Sequence, residues 1–280
     1  MILKAYAKIN LGLRILGKRP DGYHDIETIF HRVDIFDEIT LSPSSTISFA
    51  SSSQELPTDE RNLCVSAAYA FQKKFNVMNG IQIELKKNIP IGAGLGGGSS
   101  DAAAVLLGLN QSWNVKAPHE MLHSLALTLG SDVPYFLQQG SAHATGKGEI
   151  LDYFTLNVPY WLVIIFPNVH ISTEWAYKNA GERLEVRGLS LKDVATENIN
   201  DLQKLSTLVH NDFEELVFKS FPAIADVKQQ LYKLGAGFAQ LSGSGSSVYG
   251  LFQEESQAKA ATQEFEKNYR AFLTPPNFQY

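Results

Sequence analysis

The amino-acid sequence predicts an α+β protein of two domains, on three observations. Strand-like alternation opens the chain before any helical segment, so strands and helices come in runs rather than in strict β-α-β-α order. A second run of strand, helices, strand pair and helix starts near residue 160. The 280 residues, 44% hydrophobic and 19% charged, suffice for two modest cores.

Residues 2–16 and 25–35 alternate Ile, Leu, Tyr and Val with polar residues and read as strands, with Arg19-Pro20-Asp21-Gly22 as the turn between them. A short strand pair brackets the loop from Ser42 to Ser53. The spacing then predicts a helix over 62–75, a strand over 80–87, a glycine-rich loop, and helices over 99–112 and 118–129. Met121, Leu122, Leu125 and Leu129 are the expected buried face of the last of these. Strands at 141–145 and 149–153 complete a first domain, residues 1–155.

The second domain, residues 156–280, begins with the strand Trp161–Phe166 and turns helical at 172–180, 211–219 and 222–234, where Pro222 suits a first helical position. Strands at 238–241 and 247–252 enclose Ser242-Gly243-Ser244-Gly245-Ser246, and a last helix covers 256–270. A hairpin alone accounts for Gly243 and Gly245 without any ligand.

A net charge of −5 and the lack of any basic run of five or more argue against general nucleic-acid binding. Lys4, Lys8, Arg14, Lys18 and Arg19 all precede the first acid, Asp21, a local positive field suited to a small anion; a solvated strand face explains some of them equally well. The single cysteine, Cys64, forbids an intrachain disulfide and reads as a buried helix position, which fits a reducing, cytoplasmic location. Lys4 and Lys8 interrupt any signal-peptide pattern, and the strongest apolar run, 160–166, is too short to span a bilayer, so no membrane partner is expected.

Function is written most densely in Pro90-Ile-Gly-Ala-Gly-Leu-Gly-Gly-Gly-Ser-Ser-Asp101, with five glycines in seven positions before a helix start. Glycines let successive N–H groups approach one anion, and a helix N-terminus adds positive potential there, so the run predicts a phosphate cradle. Ser99, Ser100 and Asp101 suit the N–H groups of the first turn. Gly92, Gly94 and Gly97 satisfy G-x-G-x-x-G, but a dinucleotide fold wants a buried strand before the motif and an acid about 20 residues after it. Here the preceding strand alternates and the later window offers only Glu120. A Walker A loop fails as well, because the chain contains no Gly-Lys-Ser or Gly-Lys-Thr.

His119-Glu120-Met121-Leu122-His123 matches the zinc-helix pattern H-E-x-x-H. Both histidines fall at the margin of their helix directly after Pro118, and no third ligand follows, so surface histidines are expected.

The glycine loop resembles the second motif of the GHMP kinase superfamily, the small-molecule kinases of galactose, homoserine, mevalonate and phosphomevalonate. Ala7-Lys8-Ile9-Asn10-Leu11, the block Gly17 to His24, Gly130-Ser131-Asp132-Val133-Pro134, Gly146-Lys147-Gly148-Glu149, Asn211-Asp212-Phe213-Glu214 and Leu241 to Ser246 extend the likeness over essentially the whole chain. The Asp21-Gly22-Tyr23-His24 and Gly-Ser-Asp-Val-Pro blocks resemble the member that acts on a cytidine diphosphate-linked methylerythritol. The resemblance implies an N-terminal ATP-binding domain like the second domain of ribosomal protein S5, with a left-handed βαβ crossover, and a ferredoxin-like C-terminal domain. It implies transfer of the ATP γ-phosphoryl group to the substrate's tertiary 2-hydroxyl, a step of non-mevalonate isoprenoid precursor synthesis. Another kinase of the superfamily, acting on mevalonate or homoserine, and a non-catalytic nucleotide-binding regulator are the alternatives.

Residue by residue, the resemblance implies Asp132 as the base and Lys8 as the lysine against that base and the incoming hydroxyl. Read alone, Asp132 is a helix N-cap and Lys8 a solvated strand lysine. Substrate contacts carry over to Asn10, Tyr23, His24, Thr173 and Tyr177, with His24 on the edge of the cytosine and an aromatic pair stacking on its faces; Trp175 competes with Tyr177 for the second stack. Pro90, Ile91, Gly92, Ala93, Gly94, Leu95, Gly96, Gly97, Gly98, Ser99 and Ser100 are the expected ATP phosphate loop, with Lys87 and Asn62 near the adenosine. Mg²⁺ is expected with the nucleotide, and Ser100 is its candidate protein ligand. The partners implied are these small molecules, and the chain is expected as a monomer or homodimer.

Overall fold

The structure, a computed structural model, describes residues 1–180 and 188–279. These group into two compact units, one of residues 1–7, 35–90 and 96–139, the other of 8–34, 91–95 and the described part of 140–280. A single boundary after residue 155 therefore does not divide the contacts. The opening strands β1 (Ile2–Lys18) and β2 (His24–Ser44), which pair with each other, supply residues to both units.

In the first unit, residues 38–44 of β2 run antiparallel to β4 (Gly80–Lys86), and β3 (Ile47–Ser51) runs parallel to β4 with Ile47 opposite Ile81. The expected pair after residue 42 is thus the end of one long strand and a separate short one. The parallel link between β3 and β4 passes through helix α1 (Leu63–Phe75). Ile81, Ile83 and Leu85 are buried while Gln82 and Glu84 are exposed, as the alternation predicts for a sheet covered on one face.

Asn62 caps α1, its side chain accepting from the Cys64 N–H at 2.9 Å, and Asn76 ends the helix in the left-handed region. Cys64 and Phe71 are buried on its inner face, and Phe71 packs on Phe75 and Trp113. Helix α2 (Gly97–Ser112) buries Ala102, Ala103, Val105, Leu106 and Leu109, so it is apolar on most sides and packs against both α1 and α3 (His119–Leu129). On α3 the buried face is Leu122, Leu125 and Ala126, with Met121 37% exposed and Leu129 half-buried, which corrects the expectation for both residues.

In the second unit, residues 28–30 of β2 pair with β5 (Ser141–Thr145), and β5 pairs with β6 (Ile150–Phe154), both antiparallel. A separate antiparallel sheet has the order β10-β7-β9-β8, made of β7 (Trp161–Phe166), β8 (Phe238–Leu241), β9 (Val248–Phe252) and β10 (Arg270–Thr274). Among the described residues five further helices precede β8: α4 (Thr173–Asn179), α5 (Leu191–Asn198), α6 (Leu202–Leu208), α7 (Glu214–Ser220) and α8 (Pro222–Lys233). With α9 (Glu255–Glu266) between β9 and β10, the succession β7, α8, β8, β9, α9, β10 is the β-α-β-β-α-β arrangement of a ferredoxin-like domain. Val163, Ile165, Leu241, Val248 and Phe252 of the sheet pack with Ile224, Val227 and Leu231 of α8 and Ala258, Ala261 and Phe265 of α9. Leu13 and Ile15 of β1 join the same core.

Four differences from the sequence reading concern this region and the turn after α3. Helices α5 and α6 fill a stretch left without structure, the helix expected from residue 211 starts at Glu214, and the last helix stops at Glu266 so that 270–274 form a strand. The short 3-10 turn Pro134–Leu137 has Val133, not Asp132, at its N-cap.

Candidate active site

Residues 91–95 and their partners belong to the second unit. Gly92 and Gly94 hold positive φ, and the carbonyls between and after them are taken up: Ala93 O accepts from Ser247 N at 3.1 Å, Gly94 O from Ser242 Oγ at 2.9 Å, and Leu95 O from Lys8 N at 3.0 Å. A Cβ on Gly94 would lie 2.3 Å from the Ser242 carbonyl oxygen, so only glycine fits. The turn 242–246 is thus more than a hairpin, because it carries the first half of the glycine loop. Ser242 Oγ also accepts from Asn10 N at 3.2 Å, Ser244 Oγ lies 3.3 Å from Thr173 Oγ1, and Asn211 Nδ2 donates to Leu241 O and Gly243 O at 2.8 Å each.

Of the residues expected to meet the acceptor substrate, Asn10 and Thr173 touch that turn. The Lys8 ammonium, with the residue only 4% exposed, donates to Asn10 Oδ1 at 2.6 Å and lies 4.5 Å from the centre of the Phe30 ring. Asn10 Nδ2 donates to Thr28 Oγ1 at 3.0 Å, and the Asn10 carbonyl accepts from Tyr249 Oη at 3.1 Å. His24 stacks on Tyr177 with ring centres 5.2 Å apart and planes 21° from parallel, and Tyr177 meets Phe213 edge-on. Burial, and then the charge of Lys18, hold the His24 imidazole below its ordinary pKa, which favours the neutral ring. Trp175 packs edge-on against Phe221 instead, so of the two competing aromatics Tyr177 is the one beside His24. Tyr23 is 58% exposed with the Lys147 ammonium over its ring, and Thr173 is exposed at the start of α4. The N-terminal cations do not form an open field: Arg14 pairs with Glu27 and Arg19 with Asp21 and Asp25.

The rest of the loop lies in the first unit. Gly96 is the N-cap of α2 in the left-handed conformation, and no side chain caps the helix. A helix start leaves several N–H groups needing acceptors, so this one is prepared for an anion. Asp101, expected near those groups, turns to Lys87 at 2.9 Å instead, and Lys87 also bonds Asp37. One ammonium faces two carboxylates here, and burial together with the charge of Asp37 pushes the Asp101 carboxyl up to about 8. The Lys87 side chain is 6% exposed, and its charge is used inside the protein. Asn62 is similarly occupied, accepting from Cys64 N and donating to Pro57 O at 3.0 Å. Pro90 and Ser100 are buried, Ile91 and Ser99 half-buried, and Gly98 exposed. Asp132 is half-buried in the turn from Gly130 to Val133, which a bond from Val133 N to Gly130 O closes at 3.2 Å.

Among the described residues no group of three His, Cys, Asp or Glu could hold a metal ion. The His119 and His123 rings lie 6.1 Å apart, and His119 Nε2 lies 2.7 Å from Gln138 Nε2. Asp37, Thr28, Ser242 and Asn211 escaped the sequence reading as site residues; the alternating serines of 242–246 and the Asn-Asp-Phe-Glu block were the available signals for the last two. No helix among the described residues is long and apolar enough to cross a membrane.

The models of the GHMP kinases N terminal domain and the GHMP kinases C terminal domain match residues 62–140 and 190–271. The chain is 47% identical to the 4-diphosphocytidyl-2-C-methyl-D-erythritol kinase of Chlorobium chlorochromatii over 99% of this chain and 97% of that one. It is 48% identical to the kinase of the same name from Pelodictyon phaeoclathratiforme, over 99% and 98%. A crystal structure of 4-(cytidine 5'-diphospho)-2C-methyl-D-erythritol kinase superposes with a TM-score of 0.84 at 33% identity, covering 98% of each chain. Homoserine kinase from Cytophaga hutchinsonii shares the fold with a TM-score of 0.70 at 20% identity, covering 99% of this chain and 95% of that one.

Proposed function

We propose the following activity for this chain, which belongs to the GHMP kinases and among them to the 4-diphosphocytidyl-2-C-methyl-D-erythritol kinase family: it transfers the γ-phosphoryl group of ATP to the 2-hydroxyl of 4-diphosphocytidyl-2-C-methyl-D-erythritol, in non-mevalonate isoprenoid precursor synthesis. The observation that carries the nucleotide half is the glycine-lined start of α2, which no side chain caps. A stacked, neutral His24 beside Tyr177 supports the cytosine half, since a planar base gains about 1 to 3 kcal/mol from a ring against its face.

In the reaction the substrate oxygen attacks the γ-phosphorus in line, the bond from that phosphorus to the bridging oxygen of ADP breaks, and the hydroxyl proton passes to the Asp132 carboxylate. A carboxylate is a weak base for an alcohol, yet in a loose transition state the proton moves after most of the P–O cleavage. Lys8 offsets negative charge developing on the transferred group. Asn10, locked by Thr28, Ser242 and Tyr249, orients the polyol or diphosphate, and Thr173 and Tyr23 complete the acceptor contacts. Residues 94–100 receive the phosphates, with Lys87 and Asn62 shaping the loop's flanks. A Mg²⁺ ion would be carried mainly by phosphate oxygens and water, with the Ser100 hydroxyl as the protein oxygen, and would neutralise the β and γ oxygens. The buried lone cysteine supports a reducing, cytoplasmic setting, and we retain monomer or homodimer as the assembly.

Incubation with ATP, Mg²⁺ and the cytidylylated methylerythritol, followed by phosphorus NMR, tests the proposal. A new phosphomonoester on that substrate is the expected result; phosphorylation of mevalonate or homoserine instead, or of nothing, overturns it. Asp132→Asn and Lys8→Ala should each lower kcat by about a thousandfold or more with ATP binding largely kept. Near-normal turnover in either variant removes that residue from the mechanism.

A further inference from the structure

We propose that Asp37, Lys87 and Asp101 form a buried brace that fixes both flanks of the glycine segment 90–100, and that holding this segment in shape is the role of Lys87, in place of a contact with adenosine. The proposal rests on the nucleotide reading of that segment. Asp37, at the centre of β2, is fully buried, and its Oδ1 accepts from Asn88 N at 2.5 Å and Ile89 N at 2.8 Å. These are the two residues ahead of Pro90, so a carboxylate on a rigid strand sets the direction in which the chain enters the loop. Its other oxygen bonds the Lys87 ammonium, which reaches on to Asp101 Oδ2 at 2.9 Å, a residue in the second turn of α2. The same ammonium runs against the first residue of that helix, since a Cβ on Gly97 would lie 2.9 Å from Lys87 Nζ.

Entry and exit of the loop are therefore tied to one cation. A buried ion cluster is a poor source of stability, because desolvation consumes most of the Coulombic gain. This one also leaves Asp101 Oδ1 without a hydrogen-bond partner among the described residues, which a network serving stability alone would not favour. What the cluster does supply is direction: two backbone N–H groups before the loop and one helix turn after it are held at fixed distances from a single point.

The Asp101→Ala variant, which removes the carboxyl whatever its protonation, tests the brace in the full chain. Hydrogen–deuterium exchange of the ligand-free protein should speed up about tenfold at residues 97–101 and stay unchanged in α1 and α3. Calorimetric titration with MgATP should show affinity reduced about tenfold, and the KM for ATP should rise while that for the cytidylyl substrate holds. Unchanged exchange at 97–101, exchange raised equally across α1 and α3, or unaltered ATP affinity each overturns the proposal. A wild-type chain that binds no ATP overturns the kinase reading instead, and the exchange pattern still decides whether the brace exists. Lys87→Gln supplies the same comparison should Asp101→Ala not accumulate as folded protein.

Discussion

Residues 92–100 and 242–247 are both built from glycine and serine, and both hold glycines at positive φ, but they use their polar groups in opposite ways. The second segment is buried throughout and turns inward: Ser242 N donates to Ser247 O, Gly245 N to Ser242 O, and three of its hydroxyls bond other parts of the same unit. The first segment exposes Gly92 and Gly98 and ends in a helix start that no side chain caps. Glycine content alone thus identifies neither as a ligand loop. Where the donors point decides it.

That contrast can be broken by adding single methyl groups. Gly94→Ala should have the largest effect, because its Cβ would overlap the Ser242 carbonyl at a φ of +75°. A loss of about 3 kcal/mol is expected, read as a lower urea midpoint; an unchanged midpoint would mean the two segments are not in contact. Gly98→Ala should do the reverse, since the nearest neighbour of its Cβ is Leu63 at 3.6 Å. Stability should hold or rise by up to about 1 kcal/mol, as expected for alanine in a helix. On the proposed ATP reading affinity should nevertheless fall about tenfold, because the methyl would stand where phosphate is to meet backbone. Equal affinity would move the phosphate away from this position. Ser242→Ala removes a donor to Gly94 and an acceptor for Asn10, and chemical denaturation should register about 1 to 2 kcal/mol. Ser247→Ala should be smallest, within about 0.5 kcal/mol, since its buried hydroxyl has no partner among the described residues. A larger loss there than at Ser242 reverses the ranking.

How much of this was legible beforehand follows from what is local. Pro222 announced α8 because a first-turn proline acts within a few residues, whereas Asn62, expected as the first residue of α1, is its cap. Ser190 and Asp201 are caps too, accepting from Asp193 N and Lys204 N at 3.1 Å, but the helices behind them span only eight and seven residues, about two turns, in which a 3.6-residue period barely repeats. Strand β10 was hidden because Ala271, Phe272 and Leu273 continue the pattern of α9, while the bonds of Asn268 N and Tyr269 N to Phe265 O that end the helix belong to the backbone. In the site, the glycine run spoke for phosphate, while the alternating strand before it, the missing acid after it and the lack of Gly-Lys-Ser or Gly-Lys-Thr spoke against the dinucleotide and Walker folds. The roles of Lys8, Asp132, Tyr23 and His24 came through family resemblance. The pairing of Lys87 with Asp37 and Asp101, and of Ser242 with Gly94, is tertiary and had no trace in any window of sequence.

The interleaved make-up of the two units bears on how the chain can be made. Leu13 donates its N–H to His210 O, Thr28 to Phe30 pair with 142–144, and Leu13 and Ile15 are buried among Val163, Phe213 and Ile224. On a ribosome, those early strands emerge long before their partners exist, so their apolar faces wait in the open until the last third of the chain has been synthesised. Non-local pairing of this kind folds slowly and exposes sticky intermediates. A fragment stopped at residue 155, where the sequence suggested a domain end, would strand Leu13 and Ile15 in water and be a client for chaperones rather than a working half.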